Sequence, residues 1–431
     1  MRADLRPLPV HRETLDNGLR VVVAPLPHLH TATVGLFVQA GSRHEDAASN
    51  GLSHLLEHML FRGTATHPTA YRLNLAVERL GGTLYGATHT DFTTYQVSVP
   101  PDNVAPVIGV MADMVHAPLF NDLEVEKRVL REEILEDLDE EGNEIDADNL
   151  VRDLMFAPHP LGFKITGSLD NIRRFTVDDV RAHFERFYGA RNMVLCLAGA
   201  VGTEMLEAVR RAFGRLLPGA PARVEPPAVA GTRRFVAVHD DGSQTDVRLS
   251  YPCPGLHDPR YTAVQLLGRV LDDGLSSRLH RRICDERGLA YDAFAALEAY
   301  EDCGAVDLGA SVEHQKAPEV LGALLELVRD LAREPVPDEE LHRVRRRYLW
   351  DLEAMVDDAE GVASFYGTNV LFGLHDTIES TAATVAAATP ADLQEAARTV
   401  FDPERAHVAC VGVLERARIP EVRALINNHP G

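Results

Sequence analysis

The stretch GLSHLLEHMLFRGT, residues 51–64, sets His54, Glu57 and His58 among leucines and a methionine at helical spacing. On an α-helix, His54 and His58 are four residues apart and share one face, about one turn from each other, so both imidazoles can meet one ion. Glu57 lies beside them. A carboxylate next to two imidazoles in an otherwise apolar helix must be paired or ligated to be tolerated. The chemistry this suggests is metal-assisted hydrolysis. A hydrolytic zinc takes three protein ligands and keeps a position for water, whose pKa it lowers to about 7.

Two histidines need a third partner, and the acidic stretch 122–148, with 13 acidic against 3 basic residues, is its best source. Glu126 and Glu133 are seven residues apart, two helical turns, and project from the same side. One can bind metal while the other orients a ligating histidine and raises its basicity. His89, within GGTLYGATHTDFTTY, is not expected to be a ligand, and His67, before a proline, is expected to face solvent.

These groups need a scaffold. Strand-like stretches (GLRVVVAPL, TATVGLFVQAG, TTYQVSVP, RFVAVHD, DVRLSYP) are interleaved with helical ones at 104–116, 122–140, 317–333 and 337–357, an α+β pattern. Asn50 or Ser53 is the expected cap of the histidine helix, and Gly63 its expected stop. TVDDVRAHFERFYGARNMVLCLAGAV at 176–201 parallels TPADLQEAARTVFDPERAHVACVGVL at 389–414, each a capped helix, a turn and a buried strand. HLLEHML at 54–60 likewise has the apolar spacing of QLLGRVL at 265–271. An internal duplication explains both, and because the second copy has Gln265, Gly268 and Arg269 at the key positions, the chemistry belongs to the first. The Pro-rich, Gly-rich segment around 216–234 divides the copies. The expected domains are 1–217 and 233–431, joined by a linker at 218–232.

A chain of 431 residues suits two such domains. Its net charge of -22 argues against nucleic acid as a partner. Five widely spaced cysteines suggest neither a disulfide framework nor a cysteine zinc site. No signal-like or membrane-length apolar run is evident, so the expected setting is cytoplasmic, without membrane association. No phosphate-binding G-x-x-x-x-G-K-[ST] motif suggests use of ATP.

The order H-x-x-E-H, together with LDNGLRVVV, QAGSRHED, EKRVLREEI, HPLGFKITGS and SSRL…ERGLAY, resembles the pitrilysin, insulysin and mitochondrial-processing-peptidase family of zinc metallopeptidases, in its small two-domain branch. The resemblance implies two homologous domains, each a mainly antiparallel sheet packed with helices, in a clamshell-type assembly that acts on short or unfolded peptides. It implies that His54 and His58 ligate Zn2+, that Glu57 is the general base, that Glu133 is the third ligand, 75 residues after His58, and that Glu126 supports it. Substrate would be held as an added strand, with 91–99 as the expected pairing edge. The family often places an Arg and a Tyr, seven residues apart, opposite the zinc. Tyr291 matches, but Cys284 stands where the arginine is expected, so Arg282, Arg287 or a companion chain would have to replace it. Tyr85-Gly86 stands where many relatives have Asn-Ala. The resemblance allows a homodimer, a heterodimer with a homologous chain, or a non-catalytic subunit.

Overall fold

A computed structural model describes residues 7–227, 234–414 and 418–427. The first half contributes strands β1 (His11–Thr14), β2 (Arg20–Pro25), β3 (Ala32–Val38), β4 (Leu84–Thr88), β5 (Thr93–Val99) and β6 (Met193–Gly199). Its helices are α1 (Leu52–Leu60), α2 (Ala70–Glu78), α3 (Val104–His116), α4 (Leu123–Glu136), α5 (Ala147–Phe156), α6 (Leu169–Arg174), α7 (Val177–Phe187) and α8 (Leu206–Phe213). The second half contributes β7 (Arg234–Val238), β8 (Thr245–Pro254), β9 (Ala293–Ala299), β10 (Cys303–Val312) and β11 (His407–Val411). Its helices are α9 (Tyr261–Leu271), α10 (Arg278–His280), α11 (Ala317–Arg333), α12 (Asp338–Met355), α13 (Ala359–Leu371), α14 (Ile378–Ala387), α15 (Pro390–Val400) and α16 (Ile419–Asn427).

The strand orders β1-β2-β6-β3-β5-β4 and β7-β11-β8-β10-β9 match once β1 is set aside. In each sheet one pair is parallel, β2 with β6 and β7 with β11, and the other pairs are antiparallel. The repeat extends to local chemistry. α7 opens on a reciprocal cap between Thr176 and Asp179, and α15 on the same device between Thr389 and Asp392. α1 packs on α7 as α9 packs on α15. The fold is therefore α+β and duplicated. Residues 218–227 of the expected linker have no regular secondary structure, and 228–232 lie outside the described residues. No helix among the described residues is long and apolar enough to cross a membrane.

Alternation along the strands sorts side chains to two faces of the first sheet. Val21 and Val23 of β2, with Leu195 and Leu197 of β6, join the core beneath α1, α3 and α8. Their neighbours Val22, Ala24, Cys196 and Ala198, with Phe37 of β3, join a core made mostly of second-half residues. Burial on both faces explains why these strands read as unbroken apolar runs. The helix that covers this second face is α13, which lies across β3, β6 and β2. It sits so close that a Cβ on Gly367 would stand 2.2 Å from the Phe37 ring. Its first-half counterpart, α5, lies across β11, β8 and β7. Each half thus supplies a helix to the other's sheet.

The acidic stretch does not continue as one helix. α4 ends at Glu136, and Asp139 Oδ1 accepts hydrogen bonds from the amides of Glu141 and Asn143, closing a tight turn around Gly142 at φ +84°. Local side-chain acceptors of this kind compete with the helix ladder. Strand β5 is not an edge either: it lies between β3 and β4, and β4 is the outer strand. The burial of Thr93, Tyr95, Val97 and Val99 fits that interior place.

Arg152 of α5 anchors the exchange, reaching Asp307 of β10 at 2.9 and 2.6 Å and Glu298 of β9 at 3.0 and 2.8 Å. Burial opposes ionisation of Asp307, but Arg152 outweighs it and holds the carboxyl below its usual range. That contribution is present above about pH 4 and lost as pH falls through the depressed value. Arg152→Met leaves the Asp307 carboxylate buried without its partner and is predicted to cost about 3–5 kcal/mol. Denaturant unfolding at pH 7 checks this; an unchanged midpoint would show that Arg152 does not join the halves.

Candidate metal centre

Helix α1 holds the first three groups, and its start is not built as expected. The N-cap is Gly51 at φ +101°, with no side-chain cap of its own. Asn50 and Ser53 are engaged elsewhere, Asn50 with the Lys164 carbonyl and Ser53 Oγ with His183 Nε2. The orphan amides of Gly51 and Ser53 instead donate to the buried Glu45 carboxylate at 2.9 and 2.6 Å. A carboxylate there satisfies the free amides and suits the positive end of the helix. Gly63, at φ +127°, lies three residues beyond the last helical residue, Leu60.

Leu52, Leu55, Leu56, Met59 and Leu60 bury the apolar side of α1. Its polar side meets α4 and β4. The ligand atoms of His54, His58 and Glu133 lie within 4.8 Å of one another, the one such group of three or more His, Cys, Asp or Glu among the described residues. His54 Nε2 is 3.6 Å from Glu133 Oε2, and His58 Nε2 is 3.9 Å from Glu133 Oε1. Donors around a tetrahedral zinc stand about 3.4 Å apart, so small movements would close the set. Glu133 Oε2 is buried with no hydrogen-bond partner. An unsatisfied buried carboxylate oxygen facing an imidazole nitrogen fits a cation held between them, and two imidazoles with one carboxylate suit zinc.

His58 Nδ1 donates to Glu126 Oε2 at 2.9 Å, leaving Nε2 free for metal. Arg62, just past α1, holds the other Glu126 oxygen at 3.1 Å and Asp122 at 3.1 Å. The two-turn spacing read from the sequence thus sets Glu126 behind His58 and Glu133 before it. Neighbouring Glu132 points away, paired with Arg131.

Glu57 sits beside the histidines on α1, against β4. Its Oε2 accepts from Thr88 Oγ1 at 2.8 Å, and its Oε1 lies against Gly86, 2.8 Å from where a Cβ on that residue would stand. Burial raises the Glu57 pKa, against the Thr88 hydrogen bonds and the His58 charge. Burial and the His58 charge push His54 down to about 4. In His58 burial also works downward, but the Glu126 hydrogen bond and the charges of Glu57, Glu133 and Glu126 win, and its pKa is raised.

The remaining candidates lie apart from this cluster. Tyr291 is 97% exposed. Arg282 is taken by Asp330 at 2.9 Å and Arg287 by Glu326 at 2.9 Å, both acceptors on α11. His89 stacks on Phe92 with ring centroids 4.2 Å apart. His67 is half-buried rather than open to solvent, since the 64–67 turn folds back on itself through Thr64. The sequence reading did not single out Glu45, Arg62 or Thr88 individually. Thr88 had one available signal, its place two residues after Gly86 on the same strand face.

Comparison with known proteins agrees with this layout. The family profile described as Insulinase (Peptidase family M16) matches residues 20–167, and that described as Peptidase M16 inactive domain matches residues 174–348. An uncharacterized zinc protease of Mycobacterium tuberculosis is 32% identical over 396 residues, covering 90% of each chain. A protease from Helicobacter pylori superposes with a TM-score of 0.88 at 20% identity, over 94% of this chain and 100% of that one. The first half of the periplasmic protease PqqL from Escherichia coli gives 0.78 at 21%, over 98% and 97%. At such identities the two structures speak to the fold alone.

Metal must displace the His58 proton wherever pH lies below its raised pKa, while His54 stays neutral down to about pH 4. Zinc affinity is therefore predicted to fall by up to about tenfold per unit as pH drops below that raised pKa, and Glu126→Ala to weaken it about 10- to 100-fold. Competition with a chromophoric chelator checks both; a pH-independent affinity would contradict the assignment.

Proposed function

The chain belongs to the insulinase family of peptidases, M16, and on that footing we propose that it is a zinc-dependent endopeptidase acting on short or unfolded peptides. The observation that carries this is the convergence of His54, His58 and Glu133 beside a buried carboxylate, Glu57, that is not one of the ligands. In this reading the three converging residues hold the ion, and Glu126 fixes the His58 ring. Zinc bound there supplies an acidified water and polarises the peptide carbonyl.

Glu57 takes the proton of the attacking water and returns it to the leaving amine. Its raised pKa brings it nearer to neutral pH, where a group must both accept and release a proton. Strand β4 is the outer strand of its sheet and packs against α1. Its free edge, rather than the interior 91–99 strand, is where an extended peptide would add by backbone hydrogen bonds. The five unpaired cysteines suit the reducing cytoplasm expected from the sequence.

One observation favours assembly with a second chain. α1 and α13 lie on opposite faces of the first sheet, so the chain's own second half covers the face away from the metal ligands. With Tyr291 exposed and Arg282 and Arg287 already paired, we propose that a homologous chain, in a homodimer or a heterodimer, closes over the centre and presents Tyr291 or its equivalent to the substrate.

Cleavage of unstructured peptides by the zinc-loaded protein is predicted to be lost with a chelator and restored by zinc. Glu57→Gln is predicted to keep zinc and lose about 10²- to 10⁴-fold in kcat. Equal cleavage by both proteins would sink the proposal. No cleavage by the fully zinc-loaded chain would point to a required partner or a non-catalytic subunit.

A further inference from the structure

The mechanism needs one thing that zinc ligation does not provide, a defined orientation of the Glu57 carboxylate. Glu57 is on α1, but nothing on that helix holds its side chain. The partner comes from the neighbouring sheet edge, where Thr88 closes β4 and its hydroxyl donates to Oε2 at 2.8 Å. Both the hydroxyl and the backbone amide of Thr88 favour the ionised carboxylate. Two residues earlier on the same strand, Gly86 leaves the space that Oε1 occupies, since a Cβ there would stand 2.8 Å from Oε1 and 2.8 Å from the Phe61 ring. One strand thus serves both oxygens, giving a donor to one and room to the other.

We propose that Thr88 is the positioning residue for the proton-transferring carboxylate, committing Oε2 of Glu57 so that Oε1 is the oxygen left to exchange the proton. The role assigned to that proton exchange rests on the peptidase reading above. The Thr88 hydroxyl acts only through Glu57. A second consequence follows from where it sits. Because Thr88 belongs to the strand proposed to receive the peptide, the same backbone sets the register of the substrate and the orientation of the base. An error in either is then an error in both, which is how a small displacement comes to cost much rate.

The test uses the full zinc-loaded chain and Thr88→Val, which keeps the β-branched shape and removes the hydroxyl, with Thr88→Ser as the conservative variant. Loss of one hydrogen bond to a charged group predicts a fall in kcat of about 10- to 100-fold. KM is predicted to stay within about threefold and zinc stoichiometry to stay unchanged, because neither substrate affinity nor the ligands depend on the hydroxyl. Thr88→Ser is predicted to recover most of kcat. A second readout needs no turnover: the Glu57 carboxylate stretching band, isolated by subtracting the infrared spectrum of the Glu57→Gln counterpart, is predicted to move in Thr88→Val and to return in Thr88→Ser.

An unmoved band, or wild-type kcat in Thr88→Val beside an inactive Glu57→Gln, overturns the positioning role while leaving the peptidase reading intact. If wild type and Glu57→Gln both fail to cleave, it is the self-sufficient peptidase reading that falls, and a companion chain or a non-catalytic role takes its place. The infrared band still decides whether Thr88 orients Glu57.

Discussion

Helix α1 brings two imidazoles and a carboxylate to a side that the fold largely buries, and polar groups in such a place must find partners. Most of the first half's architecture near the site answers that requirement. Glu126 on α4 takes His58 Nδ1, Thr88 on β4 takes Glu57, and Glu45 takes the amides that open the helix. Each partner comes from a different element, so α1 cannot be placed until α4, β4 and the 42–45 turn are placed with it. Two polar atoms remain without partners in the ring of ligands, Glu133 Oε2 and His54 Nδ1. The first of these faces the other ligands at a distance that a shared cation would bridge.

The exchange of α5 and α13 ties this arrangement to the second half. A sheet with helices on one face only would leave Val22, Ala24, Phe37 and Cys196 in water; α13 covers them. The counterpart helix α5 begins eleven residues after α4 ends, so the element carrying Glu126 and Glu133 is tied through a short turn to one locked onto the second sheet by Arg152. The half that lacks metal ligands therefore has a structural function in this chain. It holds the far end of the segment on which the third ligand stands.

Much of this was legible in the sequence, for local reasons. The one-turn spacing of His54 and His58 and the two-turn spacing of Glu126 and Glu133 are properties of a single helix, and the fold preserves them. The duplication was visible because the Thr-x-x-Asp caps at 176 and 389 and the strands behind them are each local. What failed to show was non-local. An alternating pattern says which residues share a face but not which strand lies outermost, so the edge was expected at 91–99 and is found at Leu84–Thr88. Nor does any local pattern tell that the Gly51 and Ser53 amides go to Glu45, that Gly367 presses on Phe37 of the other half, or that Tyr291 stands in solvent.

Zinc K-edge X-ray absorption on the loaded protein reads the ligand set of His54, His58 and Glu133 itself. The expected shell is nitrogen and oxygen at about 2.0–2.2 Å with two imidazoles and no sulfur. It is also expected to change in Glu133→Ala. A sulfur shell at about 2.3 Å, or a spectrum indifferent to Glu133→Ala, would mean that zinc binds elsewhere and that His54, His58 and Glu133 are not its ligands.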